Sequence, residues 1–112
     1  MPNYISWPAG FDISINKLTI YLLDPIRGDA GKAKFFLGHG FHPKDSHLLE
    51  AELFAHTSLT NCAGIKIRPR GFNIIFLGPI STPNGTTPRI RSVWHVPAAG
   101  SGRAEFATAY PK

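Results

Sequence analysis

Apolar residues recur every three or four positions between residues 13 and 56 and every second position from Thr57 onward. The chain is therefore expected to be helical in its first half and stranded in its second. In "SINKLTIYLL", residues 14–23, Leu18, Tyr21 and Leu22 fall on one side of a short helix capped by Ser14 or Asn16, although the β-branched residues also permit a strand. Asp24-Pro25 closes it, because the residue before proline is pushed out of the helical region. "DPIRGDAG" reads as a loop, and "GKAKFFLGHGF" as a second short helix that buries Phe35 and Phe36 and stops at Gly38 or Gly40. "PKDSHLLEAELFAH" opens on a proline, has Asp45 or Ser46 as a cap and sets Leu49 and Leu53 four apart, the best helix signal in the chain.

In "GIKIRPRGF" the pair Ile65 and Ile67 alternates with Lys66 and Arg68, and "FNIIFLG" is a continuous apolar run of strand length; Pro69, Arg70 and Gly71 read as the turn between them. Asn84-Gly85 in "PNGTTP" suits a turn with positive φ. "RIRSVWHV" is then the third strand, "PAAGSG" a turn and "RAEFATAY" the fourth. The expected fold is α+β, N-terminal helices packed on a four-stranded antiparallel meander. Residues 1–12 form an irregular arm with Pro2, Pro8 and Gly10, residues 13–56 are mainly helical, and residues 57–112 make the sheet.

A length of 112 residues supports one core, and 43% hydrophobic with 12% aromatic content belongs to a folded chain, so a single domain over 1–112 is expected. Charge alters the picture more. Residues 1–64 hold five basic and six acidic side chains, whereas residues 65–112 hold seven basic ones against Glu105 alone. Cations gathered in one half suit a phosphate-rich partner, although a solvated basic surface gives the same count. Cys62 is the only cysteine, so neither an internal disulfide nor a thiol zinc cluster can form, and a reducing compartment fits. The first residues lack a basic start followed by a long apolar run, and no stretch approaches a membrane span, so a soluble cytoplasmic protein is expected.

Period two then makes a specific claim about the third strand. Arg89, Arg91, Val93 and His95 share one face, and Ile90, Ser92, Trp94 and Val96 the other, which should lie under the helices. The same parity puts Lys66 and Arg68, with Arg70 near them, on the outer face. Five cations there would complement a phosphodiester backbone, and the arginine fork meets phosphate oxygens in a bidentate way. His39, His42 and His47 match no metal-ligand spacing, so no metal or other cofactor is expected. His56 reads as a cation at a helix end, and His95 as a neighbour of Arg91. Lys32 either sits in the loop before its helix or joins the helix N–H groups in holding a phosphate. GxxxxGK[ST], GxSxG, HExxH and GxGxxG are all absent.

Taken together and in order, "KLTIYLL", "GKAKFFLGHGF", "GPISTPNG", "RIRSVW" and "TAYP" resemble a small bacterial domain family. Its members read roughly K-L-x-x-Y-L-L, G-x-K-A-x-F-F, V-R-x-V-W and T-A-Y-P, and the match runs from about Lys17 to Pro111. Members occur alone and at the ends of polymorphic toxins, and they look similar to metal-independent ribonuclease toxins of the barnase, EndoU, colicin and RelE type of fold. That resemblance implies RNA as substrate, an acidic antitoxin or immunity protein as partner, action in the cytoplasm of a target cell, and 2′-hydroxyl attack on the adjacent phosphate. It carries over Lys17, Lys32, Arg91, Thr108 and Tyr110 as catalytic positions: Arg91 and Lys32 to hold the phosphate, Thr108 to orient it, and Tyr110 or His95 to handle a proton. Lys66, Arg68, Arg70 and Arg89 are expected to bind the rest of the nucleic acid. By alternation Thr108 and Tyr110 share a face with Phe106, and whether that face is Arg91's depends on register. The competing readings are a non-catalytic nucleic-acid- or protein-binding module with the same basic sheet, and a structural protein whose charge has no specific partner.

Overall fold

The computed structural model describes residues 7–112, and the first half of the expected N-terminal arm lies outside them. Four strands fall where period two puts them: β2 (Cys62–Arg68), β3 (Gly71–Pro79), β4 (Arg89–Pro97) and β5 (Ala104–Pro111), paired antiparallel in sequence order. The sheet is nevertheless five-stranded and mixed, in the order β1-β5-β4-β3-β2. β1 (Phe11–Asp12) comes from the expected arm and runs parallel to β5, opposite Ala104 and Glu105. Pro8 and Gly10 lie before it and leave its ladder intact, the Gly10 carbonyl accepting from the Ala104 N–H at 2.8 Å. The Phe11 ring packs edge-on against Trp94 at 5.3 Å, and a bidentate Arg103–Asp12 pair (2.7 and 2.9 Å) clamps the strand from solvent.

The helices are a π-helical turn (Lys17–Leu22), α1 (Ala30–Gly38) and α2 (Ser46–His56). α1 packs against β5 and α2 against β3. Leu18, Leu22, Phe36, Leu49 and Leu53 bury against Ile74, Phe76, Ile90, Trp94, Phe106 and Ala109, while Phe35, expected to be buried, is only partly so. Since the helical layer ends over β3, Ile65 and Ile67 on the core side of β2 are left exposed. Among the described residues no helix is long and apolar enough to cross a membrane.

His56 corrects a second expectation. It is fully buried, and its ring bridges α2 to the sheet: Nε2–H donates to the Gly78 carbonyl at 3.1 Å, and Nδ1 accepts from the Ser92 hydroxyl at 2.7 Å. Ser92 Oγ in turn accepts from Trp94 Nε1 at 3.0 Å. A carbonyl can only accept, so Nε2 carries a proton, and burial disfavours the second proton that would make the ring a cation at the end of α2. Burial pushes this imidazole below its ordinary value, against the opposing pull of the Gly78 and Ile90 backbone.

One irregularity governs the site. β4 and β5 pair Val93 with Thr108 and Trp94 with Phe106, leaving Ala107 as an extra residue between them. This β-bulge inverts the alternation that would have put Thr108 and Tyr110 with Phe106. Phe106 stays on the core face, opposite Trp94; Thr108 and Tyr110 turn to the outer face, and Tyr110 stands directly opposite Arg91.

Candidate functional site

β1 covers only the first two residues of β5, so the stretch Thr108–Pro111 leaves its outer edge to the π-helical turn and α1. There Lys17 Nζ donates to the Ala107 carbonyl at 3.0 Å, using the acceptor that the bulge exposes. The same ammonium lies 4.4 Å from the centre of the Tyr21 ring, one turn on, and the Tyr21 hydroxyl meets Thr108 Oγ1 at 3.0 Å. The wider winding of a π-helix is common at functional positions, and here it carries both side chains of the site's first segment.

α1 supplies the second cation. Asp29 is its N-cap, accepting from the Lys32 backbone N–H at 3.0 Å and from Lys32 Nζ at 3.0 Å. Lys32 is therefore inside the first turn rather than in the loop before it. The helix N–H that could have met a phosphate is already taken by the cap. Lys32 Nζ lies 5.5 Å from the centre of the Tyr21 ring and 5.8 Å from that of Tyr110, a double cation–π contact at the long end of the useful range. Arg91 closes the cluster from β4, donating from Nη1 to the Tyr110 hydroxyl at 3.3 Å. Its buried Nε–H has no acceptor among the described residues. An unmet N–H of this kind costs about 1–3 kcal/mol, which makes the guanidinium a group that gains from an arriving anion.

Three cations thus surround two phenols and a hydroxyl, with Asp29 at the rim as the one carboxylate bonded to them among the described residues. The electrostatic result is visible in Tyr21. Burial opposes ionisation of its phenol, but the Thr108 hydroxyl and the Lys32 and Lys17 ammonium groups outweigh it and hold the group below its ordinary value. Lys32 is raised: partial burial works against its charge, and attraction to Tyr21 and Asp29 prevails. Replacing Asp29 by Ala is expected to lower the melting temperature by roughly 5 °C through loss of the cap, and to free Lys32. Thermal unfolding followed by circular dichroism measures the first effect.

Lys17, Lys32, Arg91, Thr108 and Tyr110, widely spaced in sequence, are brought together. Tyr21, which its spacing assigns to the core beside Leu18 and Leu22, joins them as the central residue. The signal that marks it is the Lys17–Tyr21 spacing of four, which stacks a cation on a ring on one helix face. His95 is not in this cluster. It lies on the same sheet face, four residues along β4 from Arg91, and donates from Nδ1 to Asn73 Oδ1 at 2.9 Å. Lys66 and Arg68 share that face, with Arg70 in the adjoining turn, and Arg89 is exposed at the far end of β4 beyond Arg91. His39 meets Thr86 at 2.9 Å in the β3–β4 loop, and the exposed Cys62 lies on β2. Among the described residues no three His, Cys, Asp or Glu side chains converge.

The architecture is similar to that of a solved chain from a contact-dependent growth inhibition toxin–immunity protein complex of Klebsiella pneumoniae 342, with a TM-score of 0.68 and 16% sequence identity over 89% of this chain and 92% of that one. At that identity the likeness is one of fold. Comparison with curated proteins finds no match. The family described as a domain of unknown function, DUF6883, matches residues 9–112, nearly the whole length, and the chain belongs to that family.

Proposed function

We propose that the protein is a metal-independent endoribonuclease toxin held in check by an acidic immunity or antitoxin protein. The observation that carries this reading is the convergence of Lys17, Lys32 and Arg91 on Tyr21, Thr108 and Tyr110 at one edge of the sheet. The fold shared with a chain of a toxin–immunity complex supports the toxin role and the kind of partner.

In the proposed reaction the RNA 2′-hydroxyl attacks the adjacent phosphorus, its proton passes to a base, and the 5′-oxygen leaves after taking a proton from an acid. The products are a 2′,3′-cyclic phosphate and a free 5′-hydroxyl. Arg91 and Lys32 offset the charge that builds on the phosphorane, and Lys17 holds the bulge that aims Thr108. Tyr21, its phenol already biased toward ionisation, takes the 2′ proton, and Tyr110 gives one to the leaving oxygen. His95, the other proton carrier that the sequence suggests, is too far along β4 for this step. Total RNA incubated with the purified protein in excess chelator is expected to yield fragments ending in 2′,3′-cyclic phosphate. Intact RNA, or cleavage only after metal is added, defeats the proposal.

A further inference from the structure

The outer sheet face carries a second basic cluster that the tyrosine-centred site leaves unused. Arg68, Pro69, Arg70, Asn73, His95 and Ala107 line an open depression of about 470 Å³. Lys66 stands opposite Asn73, which stands opposite His95, so all three form one row across the face. The Asn73–His95 hydrogen bond holds the imidazole ring against β3. Glu105 continues that row on β5, so Lys66, Arg68 and Arg70 against Glu105 leave two net positive charges. In the row between this one and Arg91, Ile75 and Val93 are half-buried and apolar with Thr108 at the β5 end, and the described helices pack on the opposite side. The Arg91 and His95 rows are about 13 Å apart at roughly 3.3 Å per residue of strand.

We propose that the second cluster is a phosphate subsite and that the substrate is an unpaired RNA strand laid along β4. One phosphate sits at Arg91, another two nucleotides further along at Arg68 and Arg70, and a base between them rests on Ile75 and Val93. This rests on the ribonuclease reading. A duplex keeps its bases stacked inside and offers only phosphates and groove edges, so it could not use the apolar strip; an unpaired strand exposes a base face and both flanking phosphates. Arginine at the far end supplies planar forks for phosphate oxygens, and both Arg68 and Arg70 are exposed and free of acidic partners among the described residues.

The test measures binding, by fluorescence anisotropy in chelator, of a short 2′-O-methyl RNA strand that cannot be cleaved, and of the same strand in a blunt duplex. The double variant Arg68→Ala/Arg70→Ala, at exposed hairpin positions, should melt like the parent and bind the single strand tenfold to a hundredfold more weakly. Its slope of log affinity against log salt should be shallower by roughly 0.7 to 1.4, corresponding to one or two phosphates. The duplex should compete at least tenfold less well than the single strand. Unchanged affinity in the double variant, or equal competition by the duplex, overturns the proposal. Strand binding that depends on these arginines without any RNA cleavage keeps the subsite and removes the ribonuclease; cleavage of long RNA indifferent to the double substitution does the reverse.

Discussion

Replacing Arg91 by Ala is expected to slow RNA cleavage by roughly a hundredfold to a thousandfold while leaving the melting curve nearly unchanged. The rate effect follows from removing a fixed positive charge from the place where phosphorane charge develops, where preorganised donors contribute most. The stability effect is small because the guanidinium makes a single 3.3 Å bond to Tyr110 and holds a buried Nε–H with no acceptor, so its removal costs little and relieves one unmet group. Arg91→Lys should recover only part of the rate, since an ammonium keeps the charge and loses the fork. Single-turnover cleavage of a defined RNA beside circular dichroism melts separates the two. Full activity in Arg91→Ala would remove Arg91 from the site altogether.

The largest stability loss is expected from His56→Ala, about 3 kcal/mol in urea unfolding. The substitution opens a cavity between α2 and the sheet and strands the Ser92 hydroxyl and the Gly78 carbonyl, two buried groups that the imidazole satisfies in opposite directions. The same residue should impose a pH dependence. Its folded pKa is depressed, so above the unfolded value of about 6.5 both states are neutral and its contribution is complete. As pH falls below that value the unfolded chain binds a proton that the folded chain refuses, and stability declines until the folded pKa is reached. The variant should lose this part of the slope. A parent protein whose stability is flat from neutrality down to pH 5 would contradict the neutral, buried assignment.

What could be read in the sequence divides along physical lines. The four long strands and α2 were legible because their patterns are local: Ile90, Trp94 and Val96 alternate with Arg89, Arg91 and His95, and Leu49 and Leu53 are spaced four apart. β1 is two residues long and exists through its pairing with Ala104 and Glu105, more than ninety positions away, so no window on residues 1–12 contains the cause. His56 fails for the same reason, since its partners Ser92 and Gly78 lie 36 and 22 residues on. At the site, Arg91 follows from strand parity and Lys32 from its place at a helix start, whereas Lys17, Thr108 and Tyr110 are suggested only by family resemblance. Tyr21 is ambiguous in principle: a tyrosine beside two leucines is apolar enough for a core, and the hydroxyl finds its role only when Thr108 arrives from position 108.

The extra residue at Ala107 means that the site is written partly in arithmetic. A strand is a two-state readout, even or odd, and one added position between Phe106 and Thr108 changes the parity of everything after it. Homologues that lack this residue would present their Thr108 and Tyr110 equivalents on the outer face by plain alternation, whereas those that keep it but pair without the bulge would turn them inward, sealed under the helices.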